Sequence, residues 1–87
     1  MTGEHLLVVD DEENLRSMLS AALRHHGFEV SLAVDGRHAL DVLSQTSPDL
    51  VLLDVMMPRL NGFDVCRRMR EDRNMTPVLF LTAVVVG

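Results

Sequence analysis

The stretch DLVLLDVMMP, residues 49 to 58, decides the fold because an apolar run in it ends directly in an acid, Asp54. The same arrangement occurs twice more, before the pair Asp10-Asp11 and before the hydroxyl residue Thr82. In a parallel sheet, short apolar runs of this kind are strands buried on both faces. The carboxyl ends of such strands meet at one edge of the sheet, where open α/β folds place their ligands. We therefore expect these four polar residues to gather at one edge of a parallel sheet.

Helical patterns alternate with the apolar runs. Between positions 12 and 26 apolar residues, Met18 among them, recur at helical spacing as a stripe expected to be buried, and Gly27 suits the C-terminal cap. Phe63 is likewise spaced for burial on a later helix. This order predicts right-handed crossovers and a doubly wound, flavodoxin-like parallel sheet with strand order 2-1-3-4. We predict strands at 5–9, 28–33, 50–53 and 78–81, and helices at 12–26, 37–45 and 62–70.

Length and composition limit the class of protein. The 87 residues, 47% of them hydrophobic, allow one small domain with a globular core. Only three aromatic residues occur, Phe28, Phe63 and Phe80, so we expect an aliphatic core. The formal net charge of -5 argues against nucleic-acid binding, which needs clustered basic side chains.

The cellular compartment is indicated by three features of the sequence. Its single cysteine, Cys66, allows no internal disulfide, which is typical of reducing compartments. No segment resembles a signal peptide, and no apolar stretch approaches the length of a membrane span. We therefore expect a cytoplasmic domain that binds neither a membrane nor nucleic acid directly.

The adjacent carboxylates Asp10 and Asp11 allow two interpretations. They repel each other unless a cation joins them, and Mg²⁺ prefers oxygen ligands of this type. Alternatively, Asp10 caps the first helix and Asp11 is solvated. Asp54 favours the metal, because strand order 2-1-3-4 places this third acid beside the pair, where three like charges are costly without a cation. An ionised carboxylate there is also a competent nucleophile toward phosphorus.

Four further residues surround the expected site. The Thr82 hydroxyl is within expected reach of a phosphoryl oxygen on Asp54, and the small Ala83 leaves room beside it. A β-branched residue such as Thr82 also simply suits a strand. Pro58 fixes φ and Gly62 permits unusual backbone angles in the loop after Asp54. Ordinary loop punctuation would explain each of these two residues equally well.

Together these motifs resemble the receiver domain of bacterial two-component response regulators. The resemblance is carried by VVDDE at 8–12, DLVLLDVMMP at 49–58, NGF at 61–63 and LTA at 81–83. It implies a phosphoacceptor signalling domain that takes a phosphoryl group from a sensor histidine kinase, with Mg²⁺ as cofactor. Family members catalyse their own phosphoryl transfer and dephosphorylation. The motifs are especially similar to those of winged-helix transcriptional regulators, which implies control of transcription by a parent protein.

The resemblance also implies a role for each site residue. Asp54 is the phosphoacceptor and a metal ligand. Asp10 and Asp11 complete the acidic pocket, with Asp11 the more direct ligand, and the backbone carbonyl of Met56 is a further ligand. Thr82 is the switch hydroxyl that moves toward the phosphoryl group.

The sequence departs from the family pattern at its C-terminal end. A complete receiver domain has five strands and five helices in roughly 120 residues, so residues 1–87 are expected to form one partial domain, truncated after the fourth strand. The fourth helix, the fifth strand and the fifth helix would be missing. The resemblance also implies a lysine at the end of the fifth strand that pairs with the phosphoryl group. No residue here corresponds to it, since the chain contains no lysine. We expect self-association through the unpaired edge of the fourth strand or through the valine tail at 84–86.

Two functional hypotheses from different classes remain open. In the first, the chain is a phosphoacceptor module that binds Mg²⁺ near Asp11 and Asp54 and is modified on Asp54. In the second, it is a non-signalling receiver fragment that self-associates and cannot be stably phosphorylated. A hydrolase is disfavoured, because Met56 stands where a common aspartate-based phosphatase pattern has a second acid.

Overall fold

The computed structural model describes residues 3–81, which form a four-stranded parallel sheet and three helices. The elements are β1 (His5–Val9), α1 (Glu13–His25), β2 (Glu29–Ala33), α2 (Gly36–Leu43), β3 (Leu50–Asp54), α3 (Gly62–Glu71) and β4 (Val78–Leu81). The strand order is β2-β1-β3-β4, so the predicted flavodoxin-like order is confirmed. Among these helices, none is long and apolar enough to cross a membrane.

Polar side chains set the helix boundaries. α1 begins after Glu12, whose carboxylate accepts hydrogen bonds from two backbone N–H groups of the first turn. Asp35 caps α2 in the same way, and Asn61 forms a reciprocal capping box with Asp64 at the start of α3. Gly27 follows α1 at φ 93°, the left-handed conformation that favours glycine after a helix. The predicted C-terminal cap is therefore confirmed.

The register of the sheet aligns the carboxyl ends of three strands. Val9 at the end of β1 pairs with Leu53 of β3, so the next residues along the two strands, Asp10 and Asp54, lie side by side at this end of the sheet. Asp54 in turn pairs with Leu81 at the end of β4. The edge at which the sequence predicted a site is therefore formed by β1, β3 and β4.

The core is aliphatic, as predicted, and lies between the sheet and the helices α2 and α3. Its members come from β1, β2, β3, the two helices and the loop after β3, so the strands that carry the acids are anchored from one face. The buried members of this cluster are Leu7, Val9, Ala33, Ala39, Val51, Leu53, Met57, Val65 and Met69, and Leu6, Val8 and Leu52 are buried outside it.

Met18 and Phe63 are more exposed than their helical spacing predicts. Met18 of α1 is 61% exposed, and the buried residue of this helix is Ser20, whose hydroxyl donates to the carbonyl of Ser17. α1 packs on β1 and β2, and its Met18 side chain stays largely exposed. Phe63 of α3 is 55% exposed and packs against Phe80 of β4 with ring centroids 4.9 Å apart and ring planes tilted by 56°.

Candidate functional site

Three carboxylates converge at the carboxyl edge of the sheet. Asp10 and Asp11 follow β1, and Asp54 ends β3. One carboxylate oxygen from each residue lies within 4.8 Å of the other two. Asp10 is buried, Asp54 is half-buried and Asp11 is exposed, so the cluster is open to solvent on the side of Asp11. The predicted juxtaposition of the three acids is therefore present.

Asp10 is held tightly by the backbone around it. Its N–H donates to the Ala33 carbonyl of β2, and its Oδ1 accepts a hydrogen bond of 2.9 Å from the N–H of Glu12. Its other carboxylate oxygen, Oδ2, is buried and has no hydrogen-bond partner among the described residues. The side chain that caps α1 is Glu12, so capping does not account for this buried acid. A buried charged oxygen without a partner is costly, which suggests that a ligand completes it.

Asp54 has a perturbed acidity. Loss of hydration on burial, together with the negative charges of Asp10 and Asp11, raises the pKa of its carboxyl from the usual 3.8 to about 6. A hydrogen bond of 3.1 Å from the Met56 N–H to Asp54 Oδ1 opposes this rise but does not cancel it. The site therefore disfavours three simultaneous negative charges unless a cation is present.

This pKa gives a testable pH dependence. In the metal-free chain we expect the Asp54 carboxyl to titrate near pH 6, measured by NMR from its carboxyl carbon shift. Asp10→Asn removes one neighbouring charge and is expected to lower the midpoint, whereas Asp41→Asn, at an exposed position on α2, should leave it unchanged. Titration of the wild-type group at its usual 3.8 would contradict a role for burial and neighbouring charge in its acidity.

The loop after β3 is shaped by a close approach at Gly62. A Cβ atom at Gly62 would lie 2.4 Å from the carbonyl oxygen of Asp54 and 2.9 Å from the Cα of Val55. The Gly62 N–H donates to the Val55 carbonyl at 3.0 Å. Glycine is therefore required at position 62 because a larger residue would not fit, and not because of an unusual backbone angle. The left-handed backbone in this loop occurs instead at Arg59, directly after Pro58, with φ 67°.

Arg16 is a site neighbour that the sequence reasoning did not single out. Its Nη1 donates to the backbone carbonyl of Asp10 at 2.8 Å, so a guanidinium lies directly beside the acidic loop. The only sequence signal is a basic residue one helical turn and a half beyond Asp10-Asp11, and solvated helix faces carry many such residues. The contact depends on the chain reversal between β1 and α1, which sequence spacing alone does not show.

The roles of three predicted site residues stay predictions. Thr82 and Ala83 lie outside the described residues, and so does the valine tail at 84–86. Met56 lies in the loop directly after Asp54 with its side chain 71% exposed, and its N–H contacts the Asp54 carboxylate. The role of its backbone carbonyl as a metal ligand is still an expectation.

The donor set fits Mg²⁺ in its chemistry. This ion takes oxygen ligands, uses one or two carboxylates and keeps several waters. Asp10 supplies a buried oxygen that has no partner within residues 3–81, while the exposed side of Asp11 leaves space for water molecules. The same three residues, Asp10, Asp11 and Asp54, would hold the ion.

Comparisons with known proteins agree with this geometry. The family model for the response regulator receiver domain matches residues 6–85. Response regulator MprA of Mycolicibacterium vanbaalenii is 50% identical over 78 residues, which cover 90% of this chain and 34% of the relative. The chain therefore spans about a third of the length of the curated relatives that it matches.

Solved structures show the same fold. Response regulator TrrA of Thermotoga maritima, in complex with Mg²⁺ and BeF, is 36% identical with a TM-score of 0.87, over 97% of this chain and 71% of that chain. Chemotaxis protein CheY4 of Vibrio cholerae is 35% identical with a TM-score of 0.85, over 99% of this chain and 73% of that chain. The chain belongs to the response-regulator receiver-domain family of two-component systems, as its motifs indicated.

Proposed function

We propose that this domain is a Mg²⁺-dependent phosphoacceptor that is modified on Asp54. The observation that carries the proposal is the convergence of three carboxylates, one of which, Asp10, is buried with an oxygen that has no partner among the described residues. The structure of the related protein TrrA was solved in complex with Mg²⁺ and BeF, which supports a similar ligand chemistry in the present chain. The proposed metal ligands are Asp10, Asp11, Asp54 and the backbone carbonyl of Met56.

The half-buried carboxylate of Asp54 is the proposed nucleophile. One of its oxygens forms a bond to phosphorus while the phosphorus–nitrogen bond of a donor phosphohistidine breaks, and the imidazole nitrogen keeps the electron pair. A bound Mg²⁺ would neutralise the carboxylates and the oxygens of the transferred group. Asp10 and Asp11 orient the acceptor, and the hydrogen bond from the Met56 N–H fixes one Asp54 oxygen. Thr82 is the proposed hydroxyl partner of the phosphoryl group, with Ala83 leaving it room.

The proposed donor is a sensor histidine kinase. The mycobacterial relatives are named as response regulators, which supports this class of partner and an output, such as transcription, that a parent protein controls. The proposed compartment is the cytoplasm. The domain is proposed to act as a signalling module that catalyses both the transfer of the phosphoryl group to itself and the later dephosphorylation.

We expect phosphoryl transfer to Asp54 to be slow in these 87 residues, because they contain no lysine to pair with the phosphoryl group. A preorganised positive charge that faces the developing charge of a transition state typically contributes several kcal/mol. Arg16 is a cation beside the site, but its guanidinium is engaged with the carbonyl of Asp10. We therefore expect phosphorylation to be detectable and slow.

The test is incubation of the full 87-residue chain with acetyl phosphate and Mg²⁺. We expect a mass increase of one phosphoryl group, located on Asp54 by tandem mass spectrometry after borohydride trapping. Chelation of Mg²⁺ should abolish the increase. An NMR titration with Mg²⁺ alone checks in parallel that the chain is folded and that the signals of Asp10, Asp11 and Asp54 shift.

The alternative, a non-signalling receiver fragment, predicts a different pattern in the same experiments. A folded chain that forms no Asp54 adduct at any donor concentration would favour this alternative and refute the proposal. Modification at another carboxylate would refute it equally.

A further inference from the structure

The chain reversal between β1 and α1 is closed by the side chain of Arg16. Its Nη1 donates to the backbone carbonyl of Asp10 at 2.8 Å, and its own N–H donates to the Glu12 carbonyl at the start of α1. The guanidinium therefore reaches from the first turn of the helix back to the end of the strand. Arg16 is half-buried, and a hydrogen bond from a charged donor is stronger than one between neutral groups. The contact thus holds this carbonyl in place.

This hydrogen bond fixes the peptide unit that joins the two adjacent acids. A peptide group is planar, so a fixed Asp10 carbonyl also sets where the backbone of Asp11 begins. The Asp10 N–H is held by the Ala33 carbonyl, and its Oδ1 is held by the Glu12 N–H. Arg16 supplies the third anchor. Since Asp11 is exposed, its backbone, and not side-chain packing, determines where its carboxylate lies.

The direction of the guanidinium also leaves a ligand oxygen free. Arginine often binds a carboxylate through two parallel hydrogen bonds. Arg16 instead donates to the carbonyl of Asp10, and the buried Oδ2 of the same residue has no hydrogen-bond partner within residues 3–81. In this part of the chain the one ion pair joins Arg67 to Asp64 on α3. Arg16 therefore holds the acidic loop without forming an ion pair with any of the three acids.

We propose that Arg16 is a positioning residue for the cation site, whose hydrogen bond to the Asp10 carbonyl holds Asp10 and Asp11 in the arrangement that binds Mg²⁺. This role rests on the proposed function, because it concerns the same site. Arg16 acts through the backbone and does not contact the ion. Its positive charge by itself opposes cation binding, so loss of the charge and loss of the orientation change the affinity in opposite directions.

NMR titration of the full 87-residue chain with Mg²⁺ tests this role. Arg16→Met keeps an apolar stem and removes the donors. We expect it to raise the Kd for Mg²⁺ about tenfold, as loss of a group that orients metal ligands typically does. Arg16→Lys keeps a charged donor in a different geometry and should raise the Kd by a smaller factor. If Arg16→Met does not fold, Arg16→Lys decides, and an affinity equal to that of the wild type then overturns the proposal.

Arg24→Met is the matched control. Arg24 also lies on α1, has the same charge and donates to a backbone carbonyl, that of Val30 at 3.1 Å. The change should leave the affinity for Mg²⁺ as it is in the wild type. In the metal-free chain, Arg16→Met should shift the carbonyl carbon signal of Asp10, while Arg24→Met should not.

The outcomes separate this role from the proposed function. A folded Arg16→Met chain that binds Mg²⁺ as tightly as the wild type, or more tightly, overturns the role of Arg16 alone. An equal loss of affinity in Arg24→Met, or an unshifted Asp10 carbonyl signal in Arg16→Met, overturns it as well. A wild type that binds Mg²⁺ but forms no adduct on Asp54 refutes the phosphoacceptor, while the measured affinities still decide the role of Arg16. A wild type that binds no Mg²⁺ refutes both.

Discussion

Replacing Asp54 with asparagine is expected to abolish phosphoryl addition and, at neutral pH, to stabilise the metal-free chain. The first effect follows because an amide is not a competent nucleophile toward phosphorus. The second follows from the raised pKa of Asp54, because the folded chain disfavours the ionised carboxylate. Loss of function would therefore accompany a gain in stability, which a disrupted fold cannot produce.

The sign of the stability effect follows from proton linkage. The pKa of Asp54 is about 6 in the folded chain and near its usual 3.8 when unfolded, so between these values the folded chain binds more protons. The contribution of Asp54 to the free energy of unfolding therefore falls as pH rises through this window, and it stays low above it. Asparagine lacks this penalty, so the variant and the wild type should differ most above pH 6.

Chemical denaturation at several pH values, with and without Mg²⁺, measures this effect. Asp41→Asn, at an exposed position on α2, is the control and should change neither phosphorylation nor the pH profile. Mg²⁺ should stabilise the wild type and the control more than Asp54→Asn, since a ligand that binds the folded chain shifts the unfolding equilibrium. An Asp54→Asn chain that is less stable than the wild type at neutral pH would contradict the electrostatic origin of the effect.

Substitution of Gly62 by alanine is expected to damage both stability and the site. The new Cβ would lie 2.4 Å from the Asp54 carbonyl oxygen and 2.9 Å from the Val55 Cα, which are backbone atoms and cannot move aside as a flexible side chain does. Forced overpacking of this kind costs about 2 kcal/mol or more. A small domain has little stability to spare, so we expect a clear fall in the denaturation midpoint.

The position of the clash adds a functional consequence. The crowded atoms belong to Asp54 and the residue after it, so relief of the clash must displace the proposed acceptor. Gly62→Ala should therefore weaken Mg²⁺ binding, measured by NMR titration on the fraction that stays folded. Gly3→Ala is the control, because a Cβ there meets no atom within 4 Å and only its backbone angle, φ 100°, is disfavoured, at about 1 kcal/mol. Equal losses for the two variants would refute the close packing at Gly62 as the cause.

The elements and their order were predictable from the sequence because each carries a local signal. Apolar runs of four or five residues mark the strands, and in β3 the adjacent residues Val51 and Leu52, which face opposite sides of the sheet, are both buried. Gly27 ended the first helix as expected, and the alternation of strands with helices limited the sheet to a parallel, doubly wound form. The three acids could be placed together because they follow strands that are neighbours in that form.

Other features depended on where separate segments meet in space. The sequence suggested that Gly62 permits unusual backbone angles, but the structure requires glycine because the chain returns to within van der Waals contact of Asp54. Arg16 reaches the Asp10 carbonyl only because α1 folds back over the end of β1. The exposure of Met18 depends likewise on which elements cover α1, and helical spacing contains no such information.

The sequence by itself determined the strand and helix pattern, the family and the identity of the acids, because these depend on residue type and local spacing. The tertiary structure decided that Asp10 is buried with an oxygen that has no partner among residues 3–81, and that the pKa of Asp54 rises to about 6. Each of these depends on the hydration and the neighbours of a group. Those are set only when residues far apart in the chain come into contact.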